Sequence, residues 1–117
     1  MPEIAKSVVF LGKSTAVVVL SGDMRVDVSK LSRLAGEGLR VGSPDEVRER
    51  TGFPIGGVPP FPHGKGVAVY PDSSLIRFQQ VWAAAGTPNA VFRMGTADLL
   101  RLAGVGPFDV AAPLERL

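Results

Sequence analysis

Lys6 stands directly before an apolar run, Ser7-Val8-Val9-Phe10-Leu11, with the composition of a buried strand. A lysine at the mouth of such a strand can set its ammonium at the rim of a pocket and bind a phosphate there. The same placement also suits an ordinary solvated strand end. The second candidate is the loop Gly56-Gly57-Val58-Pro59-Pro60. Two consecutive glycines let backbone N–H groups approach a ligand closely, and the two prolines stiffen the chain behind them. Such a loop can hold a carbonyl oxygen or a water with main-chain groups; it can equally be a tight structural turn. Phe61 and His63 follow in the same Gly/Pro-rich stretch. His63 is the only histidine and cysteine is absent, so convergent metal ligands are lacking and no metal site is expected. His63 reads as a surface-loop residue, and its nearness to the glycine loop leaves a substrate contact open.

Other chemistries are excluded by the residue inventory. Without cysteine there is no disulfide framework, thiolate nucleophile or thiolate zinc site. Leu11-Gly12-Lys13-Ser14-Thr15 ends like a phosphate-binding loop, but Ser7 stands where the first glycine belongs and a strand follows instead of a helix. Asp23, Asp27, Asp72, Asp98 and Asp109 sit at turns and helix starts, where capping accounts for them. Trp82 and Phe92 read as core packing. The formal net charge is +2 with no dense Lys/Arg run, so a nucleic-acid partner would be held by a few contacts or by its end. The sequence has no apolar stretch long enough to span a membrane and no signal-peptide pattern at its start, so no membrane partner is expected and the cytoplasm is the default location.

The elements that must position these residues follow from pattern. The 117 residues, 45% hydrophobic and 21% charged, fit one globular domain over residues 1–117. Residues 7–11 and 15–20 form a hairpin about the turn Gly12-Lys13-Ser14. Both runs are apolar on alternate and intervening positions, which predicts a sheet covered on both faces. Asp27 caps a helix over 28–35 that turns Val28, Leu31, Leu34 and Ala35 to one face, and Gly36 ends it. Residues 39–41 make a short strand. Ser43-Pro44-Asp45-Glu46 is a capping box with proline at the first helical position, opening a helix that runs to Thr51 and stops at Gly52. Residues 53–66 are too rich in Gly and Pro for a helix and too apolar for a linker, which leaves a constrained loop packed on the core. A strand over 67–70, a helical turn over 73–78, a hairpin of 81–85 with 90–94, and a helix from a Thr96 cap to Ala103 complete the pattern. In that last helix Leu99, Leu100 and Leu102 face inward, and the tail beyond Phe108 is free to fray. Hairpins interspersed with short helices give an α+β fold with a mixed sheet.

Ala5-Lys6-Ser7-Val8-Val9-Phe10 resembles the lysine strand of the YbaK family, the editing domain associated with prolyl-tRNA synthetases. Asp23-Met24-Arg25-Val26-Asp27 with Lys30-Leu31 is similar to a second family stretch. Thr51-Gly52-Phe53-Pro54-Ile55-Gly56-Gly57-Val58-Pro59-Pro60-Phe61 resembles its glycine-loop signature, and residues 81–86, 89–93 and 98–100 its C-terminal part. The resemblance implies a mixed, partly barrel-like sheet flanked by short helices. It implies hydrolysis of mischarged aminoacyl-tRNA, carrying a small amino acid such as alanine or cysteine on tRNA(Pro), by an enzyme that acts in trans and needs no cofactor. Lys6 would hold the substrate's acceptor end. Gly56 and Gly57 would orient carbonyl and water, with the terminal 2′-hydroxyl helping to activate that water. Val58, Pro59, Pro60, Phe61 and His63 would contact substrate, and Val58 and Phe61 would exclude the larger proline. Prolyl-tRNA synthetase is the implied protein partner. Family members usually carry a helical segment before the lysine strand, whereas five residues precede Lys6 here. A sheet face left uncovered there would favour a homo-oligomer. The alternative is a non-catalytic module that grips the tRNA acceptor end or docks on a synthetase.

Overall fold

The computed structural model describes residues 3–61, 64 and 66–114; His63 lies outside them. Strands β1 (Ile4–Leu11) and β2 (Thr15–Ser21) form the expected antiparallel hairpin, in register from Leu11↔Thr15 to Ala5↔Ser21. Every residue of β2 is buried, because its β-branched run lies mid-sheet with packing on both faces. β3 (Met24–Val26), helix α1 (Val28–Ala35) and the two-residue strand β4 (Arg40–Val41) follow, then helix α2 (Pro44–Thr51). After the Gly/Pro-rich loop come β5 (Val67–Pro71), a 3₁₀ turn (Ser73–Arg77), β6 (Gln80–Ala84), β7 (Val91–Gly95), helix α3 (Thr96–Ala103) and β8 (Ala111–Pro113). The main sheet runs β5-β2-β1-β6-β7 with β4 on the far end of β1. β5 is parallel to β2 and β6 is parallel to β1, while the two hairpins are antiparallel, so the sheet is mixed. The α+β class and the partly barrel-like sheet flanked by short helices are as expected. Among the described residues no helix is long and apolar enough to cross a membrane.

Two cores lie on the two sheet faces. One gathers Ala5, Val9, Val17 and Val19 with Val47 of α2, Val58 of the loop and Leu99 of α3. The other gathers Phe10, Val18 and Leu20 with Leu31 of α1 and Val110. The local signals hold at α1 and α2. Asp27 accepts from the Lys30 N–H, and the Ser43–Glu46 capping box closes in both directions with Pro44 at its start. Gly36 and Gly52 end these helices in the left-handed conformation.

Four expectations are corrected by the structure. Thr96 does not cap α3. Gly95 holds that position without a side-chain bond, and the buried Thr96 hydroxyl donates to the Phe78 carbonyl at 2.6 Å instead. Leu102, expected inward, is 53% exposed, because α3 buries only the stripe through Leu99 and Ala103. In α1 the buried stripe narrows likewise to Leu31, leaving Val28 and Leu34 exposed. Residues 110–113 of the tail are packed and paired, not frayed. Val110 is fully buried, its N–H donates to the Asp72 carboxylate at 2.9 Å, and β8 pairs with β3.

Candidate active site

The site lies where the sheet splits. β1 and β6 pair only through Ile4↔Trp82 and Ala5↔Ala83, and β4 takes the same edge of β1 only at Phe10 and Leu11. Between these contacts Lys6, Ser7 and Val8 have no strand beside them on that edge among the described residues. A cleft of about 250 Å³ opens there, bordered by Lys6 and Ser7 on one side and by Ala84 and Val91 on the other. Gly56 and Val58 of the glycine loop close its third side. The structure therefore brings together Lys6 and the loop, which stand fifty residues apart in the chain.

Strand alternation decides what each residue presents. Glu3 accepts from the Trp82 N–H and Val9 from the Gly42 N–H, so odd-numbered residues of β1 turn their main chain toward the β6 edge. By the same alternation the N–H and C=O of Ser7 face the opening. The side chain of Ser7 shares a face with Ala5 and Val9 of the first core. Its Oγ is buried and has no hydrogen-bond partner among the described residues. Lys6 points to the opposite face, with Ile4 and with Trp82 of β6.

The half-buried Lys6 ammonium donates to the Gly22 carbonyl at 3.5 Å, a long contact that a substrate oxygen can displace. The turn carrying Gly22 is itself held firmly. Asp23 accepts two bonds from Arg77, at 2.7 and 3.1 Å, and one from Ser21 Oγ at 2.6 Å. Arg77 also reaches Ser21 Oγ at 2.8 Å. These bonds, from Arg77 first and then Ser21, hold the Asp23 carboxyl down at about 2, against an ordinary 3.8.

The two glycines have different surroundings. Gly56 lines the cleft with φ +81°, a conformation that favours glycine. Gly57 is buried, and a Cβ there would lie 2.8 Å from Thr87 Cα and 2.9 Å from Thr87 N and C. Its N–H already donates to the Pro54 carbonyl at 2.9 Å. Gly57 is thus needed for backbone packing between the loop and the turn before β7. Val58 is 1% exposed and joins the first core to the cleft wall. Pro59, Pro60 and Phe61 do not line the cleft: Pro60 is buried and the Phe61 ring lies 5.8 Å from Phe92.

Two residues at the site were missed in the sequence. Trp82, read as core, is 37% exposed and lines the cleft. Alternation in Gln80-Val81-Trp82-Ala83-Ala84 carries the signal, since the inward places go to Val81 and Ala83. Ser7, which the sequence places in an apolar strand run, is the polar member of an otherwise apolar Ala5-Ser7-Val9-Leu11 stripe. Among the cleft-lining residues Lys6 is the one titratable group, and neither carboxylate nor histidine borders it among the described residues.

Fold and site together define a small α+β domain with a ligand cleft at a split in a mixed sheet, bordered by a lysine and a glycine loop. The chain belongs to the aminoacyl-tRNA editing domain family, whose model matches residues 2–102. It is 39% identical to the uncharacterized protein YwhH of Bacillus subtilis (strain 168), over 85% of this chain and 64% of that protein. It is 34% identical to the multifunctional Ser/Thr-tRNA deacylase ProXp-y of Escherichia coli (strain K12), over 74% of this chain and 53% of that protein. The chain thus spans about half to two thirds of the length of these curated relatives. A crystal structure described as that of a candidate trans-editing enzyme for prolyl-tRNA synthetase superposes with a TM-score of 0.87 at 44% identity, covering 95% of this chain and 71% of that one.

Proposed function

We propose that the cleft hydrolyses the ester between a small amino acid and the 3′ end of a mischarged tRNA, acting in trans. The observation that carries this reading is the meeting of Lys6, Ser7, Gly56 and Val58 around one small cleft in a chain of the editing family. Lys6 exchanges its long bond to Gly22 for an oxygen of the acceptor end. Main-chain groups of Gly56 orient the ester carbonyl, and Ser7 Oγ, which has no partner among the described residues, supplies a hydrogen bond. Water adds to the carbonyl carbon, the carbon–oxygen bond to the ribose breaks, and the ribose oxygen leaves with a proton. Among the described residues no carboxylate or histidine borders the cleft, and the 2′-hydroxyl of the substrate is the group assigned to assist the water. Val58, Ala84 and Val91 limit the space for the amino-acid side chain, which disfavours a ring as large as proline.

The substrate set we propose is tRNA(Pro) carrying alanine or cysteine. The name of ProXp-y adds seryl- and threonyl-tRNA to the panel, and the likeness to the trans-editing structure makes prolyl-tRNA synthetase the partner to test. The experiment is a deacylation panel over these charged tRNAs, run with the wild type and with Lys6→Ala. Release of amino acid from at least one, reduced a hundredfold or more in the variant, supports the reading. Binding of tRNA without release at high enzyme concentration refutes it in favour of a non-catalytic acceptor-end module.

A further inference from the structure

Trp82 is the only tryptophan in the sequence, and its indole is 37% exposed on the face of β6 that looks away from the first core. Its register partner on β7 is Arg93, whose guanidinium lies 5.9 Å from the indole centroid. Arg93 forms no ion pair among the described residues. On the other side Trp82 is in register with Ile4, two residues before Lys6 on the same face of β1. Lys6 and Trp82 are therefore diagonal neighbours, about 8 Å apart along and across the strands. The rim of the cleft thus presents a flat aromatic face flanked by two cations.

The size of the cleft gives this rim a purpose. Its volume of about 250 Å³ is smaller than the roughly 300–1,000 Å³ of sites that enclose a drug-sized ligand. It accommodates an aminoacyl group but not the nucleoside to which that group is esterified. With the ester carbonyl between Lys6 and Gly56, the terminal base of the tRNA must lie outside, on the rim. An exposed indole is a stacking platform for a base, and a guanidinium beside it with no ion pair among the described residues suits the adjoining phosphate. We infer that Trp82 and Arg93 form the subsite for the terminal adenosine, with adenine stacked on the indole and the preceding phosphate on Arg93. This inference rests on the deacylase reading and adds to it the part of the substrate that the cleft does not enclose.

Because Trp82 is the sole tryptophan, its emission reports on the subsite directly. The probes are an uncharged acceptor-stem minihelix ending in adenosine and the same RNA with an abasic terminal ribose. The first should quench the emission saturably, and the second should bind about tenfold more weakly. For the charged minihelix, Trp82→Ala should raise KM about tenfold, and Trp82→Phe, which keeps a ring, should recover most of that loss. Arg93→Gln should flatten the dependence of binding on salt. If deacylation proceeds while the two RNAs bind and quench alike, or while Trp82→Ala leaves KM unchanged, the subsite is overturned and the deacylase reading stands. If no charged tRNA is deacylated, that reading falls and the subsite falls with it.

Discussion

Ser7→Ala should make the protein more stable and the cleft less effective. Ser7 Oγ is buried and has no partner among the described residues, on a strand face otherwise occupied by Ala5, Val9 and Leu11. A buried polar group left without a hydrogen bond costs about 1–3 kcal/mol. Replacing the hydroxymethyl by a methyl removes that cost. It also forfeits a few dispersion contacts at about 0.1–0.2 kcal/mol each, so the net gain is about 1 kcal/mol. Unfolding entropy near 2.1 cal/mol/K per residue gives about 0.25 kcal/mol/K for 117 residues, and the gain corresponds to a Tm about 4 °C higher. Thermal unfolding followed by circular dichroism measures this shift. Deacylation by the same preparation should fall about tenfold in kcat/KM, the equivalent of about 1.4 kcal/mol of transition-state binding. Ser7→Thr, which keeps the hydroxyl, should retain most of the activity. A Tm that falls in Ser7→Ala refutes the reasoning, because it would mean that the hydroxyl is satisfied in the native protein. A raised Tm with full activity would remove Ser7 from the site and leave the stability argument intact.

The other predictions concern the supports of the site. Gly57→Ala drives a Cβ into the Thr87 main chain at 2.8 Å, where no side chain can yield, and should cost about 1–3 kcal/mol, or roughly 4–12 °C in Tm. Activity should fall with it as the loop lifts from the turn; a variant as stable as the wild type would show that the loop relaxes freely. Asp23→Asn tests the turn beneath Lys6. The folded carboxyl is depressed to about 2 from 3.8, so its pairing with Arg77 stabilises fully above the unfolded value and is lost as pH falls toward 2. With the carboxylate 44% and the guanidinium 47% exposed, the effect at neutral pH should stay below about 1 kcal/mol. Wild-type and variant Tm should therefore differ by less than about 4 °C at pH 7 and converge near pH 2. A gap that widens on acidification would contradict the sign.

Legibility in the sequence followed the range of the physics. The β1–β2 hairpin, the Asp27 cap and the Ser43–Glu46 box depend on residues within a few positions of one another, and all three are as the sequence predicts. β8 escaped because Ala111-Ala112-Pro113 has weak strand preference. It exists through pairing with β3 and through the Asp72 carboxylate, 38 residues away from the Val110 N–H that it binds. Thr96 misled for the same reason. Its hydroxyl has a stronger local use as a cap on paper, but the fold brings the Phe78 carbonyl within 2.6 Å. Lys6 and the loop could be named from sequence. Their approach could not, since it depends on how far β1 and β6 remain paired.

That short pairing explains why irregular features gather in one place. A sheet whose central parallel pair stops after two residue pairs leaves a strand edge open in its middle. Left alone, such an edge would be closed by another strand or filled by apolar side chains. Here a loop fills it only in part. Gly57 must be bare for the loop to come close enough, and Gly56 must adopt a left-handed conformation to turn away again. The Ser7 hydroxyl, without a partner among the described residues, lies beside this opening, and the exposed Trp82 indole stands at its mouth. Each of these departs from a rule the rest of the chain obeys, and departures that converge mark a functional site more securely than any one of them. The arrangement also separates two duties that the sequence runs together. Gly57 and Pro60 keep the loop seated, so substitutions there should lower Tm and activity in step. In the proposed deacylase Lys6 meets the substrate, so substitution there should lower activity with little change in Tm, whereas substitution of Gly56, at φ +81°, should lower both.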